Sequence, residues 1–210
     1  MNWQKEKIIQ DAKVYAGTHA PLYSRSFGAH LRALGIGQES LQGERILALG
    51  PGADFAFEKG AIESGAASVT ALGYFDRTEG ALRHEVDALK ETHPEIRLVN
   101  ALFEALPEDE LKPFSYTKIF SVWGFPMYSD FRHPSARGSM RYQGMMSTLR
   151  ILFHSLDLFG HMKFAQTGME VGRYMREVLN DFIGKKHVSV QRRKNSIIDT
   201  DAVLTITRKR

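Results

Sequence analysis

The residues best placed to do chemistry lie in one short stretch, Glu44-Arg45-Ile46-Leu47-Ala48-Leu49-Gly50-Pro51-Gly52-Ala53-Asp54. Ile46 to Leu49 is an apolar run that reads as a buried strand. Gly50-Pro51-Gly52 breaks it abruptly, and Phe55 to Ser64 can resume as a helix. A strand, a glycine turn and a helix in that order make a cradle for a nucleotide-like ligand. Glycine lets the backbone come close to the ligand, and the carboxyl edge of an open α/β sheet supplies the crevice. Two glycines flanking one residue after a strand also make an ordinary tight turn, so the motif needs support from residues further along the chain. Asp54 could bond a ligand amino group or cap the helix beside it, and helix starts favour aspartate. Asp76 lies 24 residues beyond Gly52, a little past the spacing of about 20 at which an acidic residue meets ribose hydroxyls in such sites. It could equally cap a helix starting near Thr78.

The elements that must position these residues alternate along the chain. Strands are predicted at Arg45–Leu49, Ser68–Leu72, Arg97–Val99, Lys118–Val122, His161–Gln166, His187–Gln191 and Ala202–Thr207. Helices are predicted over Phe55–Ser64, Thr78–Thr92, Arg141–Leu156 and Met169–Phe182, with a helical turn near Glu108–Leu111. Before the first strand, residues 1–16 and 22–35 read as helices separated at Pro21, and Leu22, Phe27, Leu31 and Leu34 give the second an apolar face. Such alternation argues for a mostly parallel sheet with helices on both faces. The last two strands, separated by a basic turn at Arg192 to Ser196 and by Asp199-Thr200-Asp201, suggest an antiparallel edge.

Composition narrows the classes. A chain of 210 residues with 43% hydrophobic residues fits one globular domain with a sizeable core and a small appendage. We divide it into an N-terminal helical cap, residues 1–40, and an α/β domain, residues 41–210. There are no cysteines, which excludes disulfides, thiolate metal sites and cysteine nucleophiles. The histidines are scattered without metal-ligand spacing, so no metal is expected. No apolar run is long enough to span a bilayer, and the charged opening residues lack the core of a secretory signal, so a cytoplasmic location and no membrane partner are expected. The net charge is +4, with basic clusters at Lys185-Lys186-His187, Arg192-Arg193-Lys194 and Arg208-Lys209-Arg210. These could attract RNA or an acidic substrate, or be solvated strand ends and a turn; no aromatic residues interleave with them to stack bases.

From residue 44 onward these landmarks resemble the class I S-adenosylmethionine-dependent methyltransferases. ILALGPGAD is similar to that family's glycine-rich first motif, and SVTALGYFD to its second strand, where an acidic residue usually meets the ribose. VNALFEALP resembles the stretch that lines the adenine, YTKIFSVWGF the fourth-strand motif facing the methyl group, and LRILFHSLDLFGHMKFAQTG the helix, turn and fifth strand. The resemblance implies a Rossmann-like, doubly wound, mostly parallel seven-stranded sheet with an antiparallel C-terminal strand, and S-adenosylmethionine as cofactor. It departs from the pattern at Ala48, where the family has an acid, at Asp54 in place of a third glycine, at Gly73 in the ribose-binding position, and at Leu102 in the adenine-side position.

The resemblance implies Gly50, Pro51, Gly52, Asp54, Asp76, Phe103, Glu104, Ser121 and Trp123 as cofactor-binding residues. Phe103 and Glu104 would flank the adenine. Ser121, Trp123 and Tyr128 would stand where methyl group and acceptor meet, although packing is the default for a tryptophan at a strand end. The long loop from Met127 to Gly144 carries Tyr128, Asp130, Arg132, His133, Arg137, Arg141 and Tyr142; loops of that length inside a compact domain are functional or disordered. His133 is the histidine best placed to act as a base, with Tyr128 beside it as a second catalytic candidate. Tyr15, Tyr23 and Arg25 could close over the cofactor or pack at the sheet edge. Three functions are compatible with this pattern: methyl transfer to an acceptor such as a small molecule, a degenerate methyltransferase fold used for binding or scaffolding, and an RNA-directed methyltransferase using the basic clusters.

Overall fold

The computed structural model describes residues 26–52, 54–75, 81–122, 140–167, 188–194 and 201–209. Strands β1 (Arg45–Leu49), β2 (Ser68–Gly73), β3 (Ile96–Asn100), β4 (Tyr116–Val122), β5 (Leu156–Thr167), β6 (Val188–Lys194) and β7 (Asp201–Arg208) form a seven-stranded sheet in the order β3-β2-β1-β4-β5-β7-β6. The pairs from β3 across to β5 are parallel, and β7 runs antiparallel to both β5 and β6. The expected doubly wound sheet with an antiparallel last strand is therefore present. β1 lies inside it, between β2 and β4. That position explains why Ile46 to Leu49 are uninterruptedly apolar: a parallel strand covered on both faces has no solvent side.

Helices α1 (Phe27–Leu34), α2 (Ala56–Glu63), α3 (Ala81–Thr92) and α4 (Met140–Ser155) cover the sheet. The two-residue period of β1 divides the core. Ile46 and Ala48 face Leu34, Phe57, Ala61 and Leu89 from α1, α2 and α3, whereas Leu47 and Leu49 face Leu149 and Leu152 from α4 and Leu106 from the loop after β3. No helix among the described residues is long and apolar enough to cross a membrane.

Several boundaries differ from expectation. α1 starts at Phe27, because Ser26 leaves the helix (φ −59°, ψ 153°) and its hydroxyl accepts from the Ala29 N–H at 3.4 Å; residues 22–25 of the expected helix lie outside the described residues. The helical turn expected near Glu108–Leu111 is a non-helical turn; a 3-10 turn lies just before it, at Phe103–Ala105. Arg192, Arg193 and Lys194 are not in a turn but in β6, paired with Leu204, Val203 and Ala202 of β7. β6 is last in the strand order, and charged residues are common on edge strands. The helices expected over residues 1–16 and Met169–Phe182 lie outside the described residues.

Candidate functional site

The strand order reverses direction at β1: the chain first winds outward through β2 and β3, then returns to add β4 on the other side. In open sheets of this kind a ligand crevice lies outside the carboxyl edge at such a reversal, here beyond the ends of β1 and β4. Gly50 occupies that point with φ 66°, a conformation that favours glycine, and its N–H donates to the Leu72 carbonyl at 2.9 Å. The turn closes with the Phe55 N–H donating to the Gly52 carbonyl at 3.2 Å. Phe55 itself is left-handed (φ 53°), a costly conformation for a bulky residue. Full burial of its ring, 5.8 Å from that of Phe75, holds it there and aims α2 back at the turn.

Beneath the turn, between α1, α2 and the ends of β1 and β4, lies a small cavity of about 20 Å³. Glu58, His30, Ala48, Pro51, Phe120 and Val122 contribute to its wall. Glu58, in the first turn of α2, is 1% exposed, and its Oε2 has no hydrogen-bond partner among the described residues. Burial pushes its carboxyl up to about 7; the nearby Asp54 charge raises it further, while its own backbone N–H and Lys59 pull the other way. His30, 9% exposed, has Nδ1 3.1 Å from the Ser26 carbonyl, a contact that assigns the ring proton to Nδ1. Its ring lies 5.7 Å from that of Phe57, which in turn meets Phe120 edge-on at 5.8 Å. These aromatic contacts fix α1 and α2 against β4.

The adjacent strand ends complete the crevice. Gly73 ends β2 opposite Asn100 of β3. The Asn100 Oδ1 accepts from the Phe75 N–H at 2.8 Å, and the Ala101 N–H donates to the Gly73 carbonyl at 2.9 Å. A Cβ at Gly73 would stand 3.0 Å from the Pro51 Cδ, so the glycine is what lets the turn settle against β2.

This architecture is shared with solved structures. A methyltransferase from Pyrococcus furiosus superposes with a TM-score of 0.61 at 16% identity, covering 98% of each chain. The fold is that of the S-adenosylmethionine-dependent methyltransferases. The 1,6-didemethyltoxoflavin-N1-methyltransferase of Burkholderia thailandensis, solved with 1,6-didemethyltoxoflavin and S-adenosylhomocysteine bound, superposes with a TM-score of 0.58 at 13% identity over 100% of this chain and 92% of its own. An rRNA methylase from Streptococcus thermophilus gives 0.52 at 14% identity, over 90% and 99% of the respective chains. No family model matches the sequence, and no curated protein matches it either.

Within this methyltransferase fold the predicted residues separate. Gly50, Pro51 and Gly52 form the turn at the crevice. Asp54 stands just before α2, where its Oδ1 accepts from the Ala56 N–H at 3.2 Å. Phe103 is half-buried against the core on the α4 face, and its carbonyl accepts a hydrogen bond from the Thr148 hydroxyl. Ser121 is 1% exposed and sits between Leu49 and Phe164 in register; strand alternation puts it across the sheet from Ala48, Phe120 and the Glu58 cavity. Asp76, Trp123, Tyr128, His133 and the side chain of Glu104 lie outside the described residues. The sequence reading missed Glu58, His30 and Asn100. Glu58 carried a readable signal: it lies beside Phe57 and one turn before Ala61, on the stripe of α2 that faces the core.

Proposed function

We propose that the chain binds S-adenosylmethionine along the crevice above β1 and β4 and transfers its methyl group to an acceptor of small-molecule size. The observation that carries this reading is the glycine turn at the strand reversal, held by Gly50 in a methyltransferase fold. The residues present fit the cofactor: Gly50 and Gly52 leave the turn backbone without side chains on both sides of Pro51, and a buried carboxyl oxygen beneath it lacks a partner among the described residues. When bound, the group supplies a methyl on a sulfonium, which an aligned nucleophile can attack. The chain's part is to hold, orient and keep dry. On this reading Gly50, Pro51 and Gly52 pass against the cofactor, Asp76 takes the ribose hydroxyls, and Phe103 and Glu104 flank the adenine. Trp123 and Tyr128 face the acceptor, and His133 removes its proton where the nucleophile needs a base.

Calorimetric titration with S-adenosylmethionine and S-adenosylhomocysteine tests this directly. Micromolar binding that Gly52→Val and Asp76→Ala each abolish supports the reading. Absence of binding by folded protein removes it and favours the scaffold reading, which rests on Ala48, Asp54, Gly73 and Leu102 at positions where the resemblance expects cofactor contacts.

A further inference from the structure

We propose that Glu58 is a proton-exchanging anchor for a primary ammonium group seated beneath the glycine turn. The carboxyl lies almost wholly out of water, with Oε2 unpartnered among the described residues, in the wall of a cavity of about 20 Å³. A buried acceptor without a donor is costly, and that cost is relieved when a donor arrives. The cavity selects the donor. Its size admits a group about as large as one water, which suits an ammonium and excludes a guanidinium or a trimethylammonium. Leu34, Ala48, Phe57, Phe120 and Val122 offer no polar side chain to the cavity, and the remaining polar wall, His30, turns its Nδ1 to the Ser26 carbonyl. Divalent cations are disfavoured, because among the described residues no group of three metal-ligating side chains occurs.

Charges around Glu58 come from two helices. Just before α2, Asp54 opposes ionisation, and on α2 Lys59 favours it. From α1 the cavity is faced by His30, whose Nδ1–H is directed to Ser26. β1 and β4 present Ala48, Phe120 and Val122, which carry no charge. Without a ligand the burial of Glu58 therefore favours its neutral acid. When R–NH3+ enters, the carboxyl proton leaves to solvent and the resulting carboxylate pairs with the ammonium; no bond to nitrogen is made or broken. The sequence departure at Ala48 then has a structural counterpart, since Glu58 delivers a carboxylate to the same cavity from the helix instead of the strand. On the methyl-transfer reading, on which the identity of the ligand rests, the ammonium is the α-amino group of the cofactor.

The experiment is calorimetric titration of wild type and Glu58→Gln with S-adenosylhomocysteine and with 5′-methylthioadenosine, which lacks the amino acid, in buffers of different ionisation heat. Glutamine keeps the shape of the neutral acid, so the variant is expected to fold. At pH 6 wild type is expected to release close to one proton on binding S-adenosylhomocysteine and none on binding methylthioadenosine. Glu58→Gln is expected to abolish that release and weaken S-adenosylhomocysteine about tenfold or more, leaving methylthioadenosine within about twofold. Equal proton release in both proteins, or equal weakening of both nucleosides, overturns the proposal while the cofactor site stands. If wild type binds neither nucleoside, the methyl-transfer reading fails. The anchor is then tested alone, by carbon NMR titration of the Glu58 carboxyl in methylammonium chloride against sodium chloride. A lowered midpoint in methylammonium upholds the anchor, and an unchanged one overturns it.

Discussion

The Cδ of Pro51 stands 3.0 Å from the point where a Cβ would project from Gly73. The turn after β1 and the end of β2 are therefore fitted to each other through the missing side chain. A carboxylate at position 73, where the resemblance expects the ribose-binding acid, would press on Pro51 and on the Phe75 ring 3.4 Å away. Gly73→Asp is accordingly expected to lower stability without improving nucleoside affinity. Gly73→Ala is expected to cost about 1–2 kcal/mol in urea unfolding, as overpacking does. Pro51→Ala removes the opposing atoms, so the double variant should recover about 0.5–1 kcal/mol relative to the sum of the singles. Strict additivity in that cycle means the contact is not what keeps position 73 bare.

The buried Glu58 makes stability depend on pH in a direction opposite to that of an ordinary paired carboxylate. Its folded pKa, about 7, lies above the ordinary 4.5. Between those values the folded chain holds a proton that the unfolded chain has released, so stability falls as pH rises through that window and levels off above it. The full cost is on the order of 3 kcal/mol at one pKa unit per 1.36 kcal/mol. Glu58→Gln, which cannot ionise, is expected to be more stable than wild type at pH 8 and close to it at pH 4. Thermal unfolding of both proteins across that range reads the difference; parallel curves would show that Glu58 does not titrate with folding.

Gly60 carries α1. A Cβ there would lie 2.4 Å from the Phe27 ring, so the two helices approach through the bare backbone of α2. In an isolated helix Gly→Ala gains about 1 kcal/mol. Here the gain is outweighed, because the ring must move and His30, on the same helix, moves with it. Gly60→Ala is expected to lower stability by about 1–3 kcal/mol and to weaken nucleoside binding as well. Higher stability in chemical denaturation, with binding intact, would show that α1 adapts without consequence for the crevice.

How far the sequence could be read depends on which physical signal each feature leaves. The strands were legible because buried strands are apolar runs, as Ile46–Leu49 shows, and their mostly parallel arrangement followed from alternation with helices. Strand ends were less so: β5 begins at Leu156 rather than His161, and β6 continues through Arg192 to Lys194. Backbone pairing with a neighbour extends a strand whatever the side chains. At the site, Gly50 to Gly52 announced themselves through residue type. Glu58 did so only through its place beside Phe57 and Ala61 on the core-facing stripe of α2, because a glutamate in a helix is by type ordinarily a solvated one. Asp54 offered two roles, and its residue type alone carries no trace of the 3.2 Å bond it accepts from the Ala56 N–H.

The opposite end of β1 supplies the control for all of these. The Arg45 N–H donates to the Thr117 Oγ1 at 2.9 Å, and its guanidinium reaches the Ser115 carbonyl at 2.9 Å and the Asp157 carboxylate at 2.7 Å. This side chain stitches β1 to β4 and β5 at the amino edge of the sheet, about 15 Å from the glycine turn at roughly 3.3 Å per strand residue. The ion pair is partly exposed, so its contribution is expected to be small and screened by salt. Loss of the Ser115 contact adds to it, and Arg45→Ala should cost about 1–2 kcal/mol in all. Nucleoside affinity should stay within about twofold of wild type, because nothing at the carboxyl edge depends on this side chain. Unfolding and calorimetry on the same preparation check both halves. A tenfold loss of affinity in a folded variant would mean that the two edges of the sheet are coupled, and that substitutions near Glu58 and Gly73 cannot be interpreted as local.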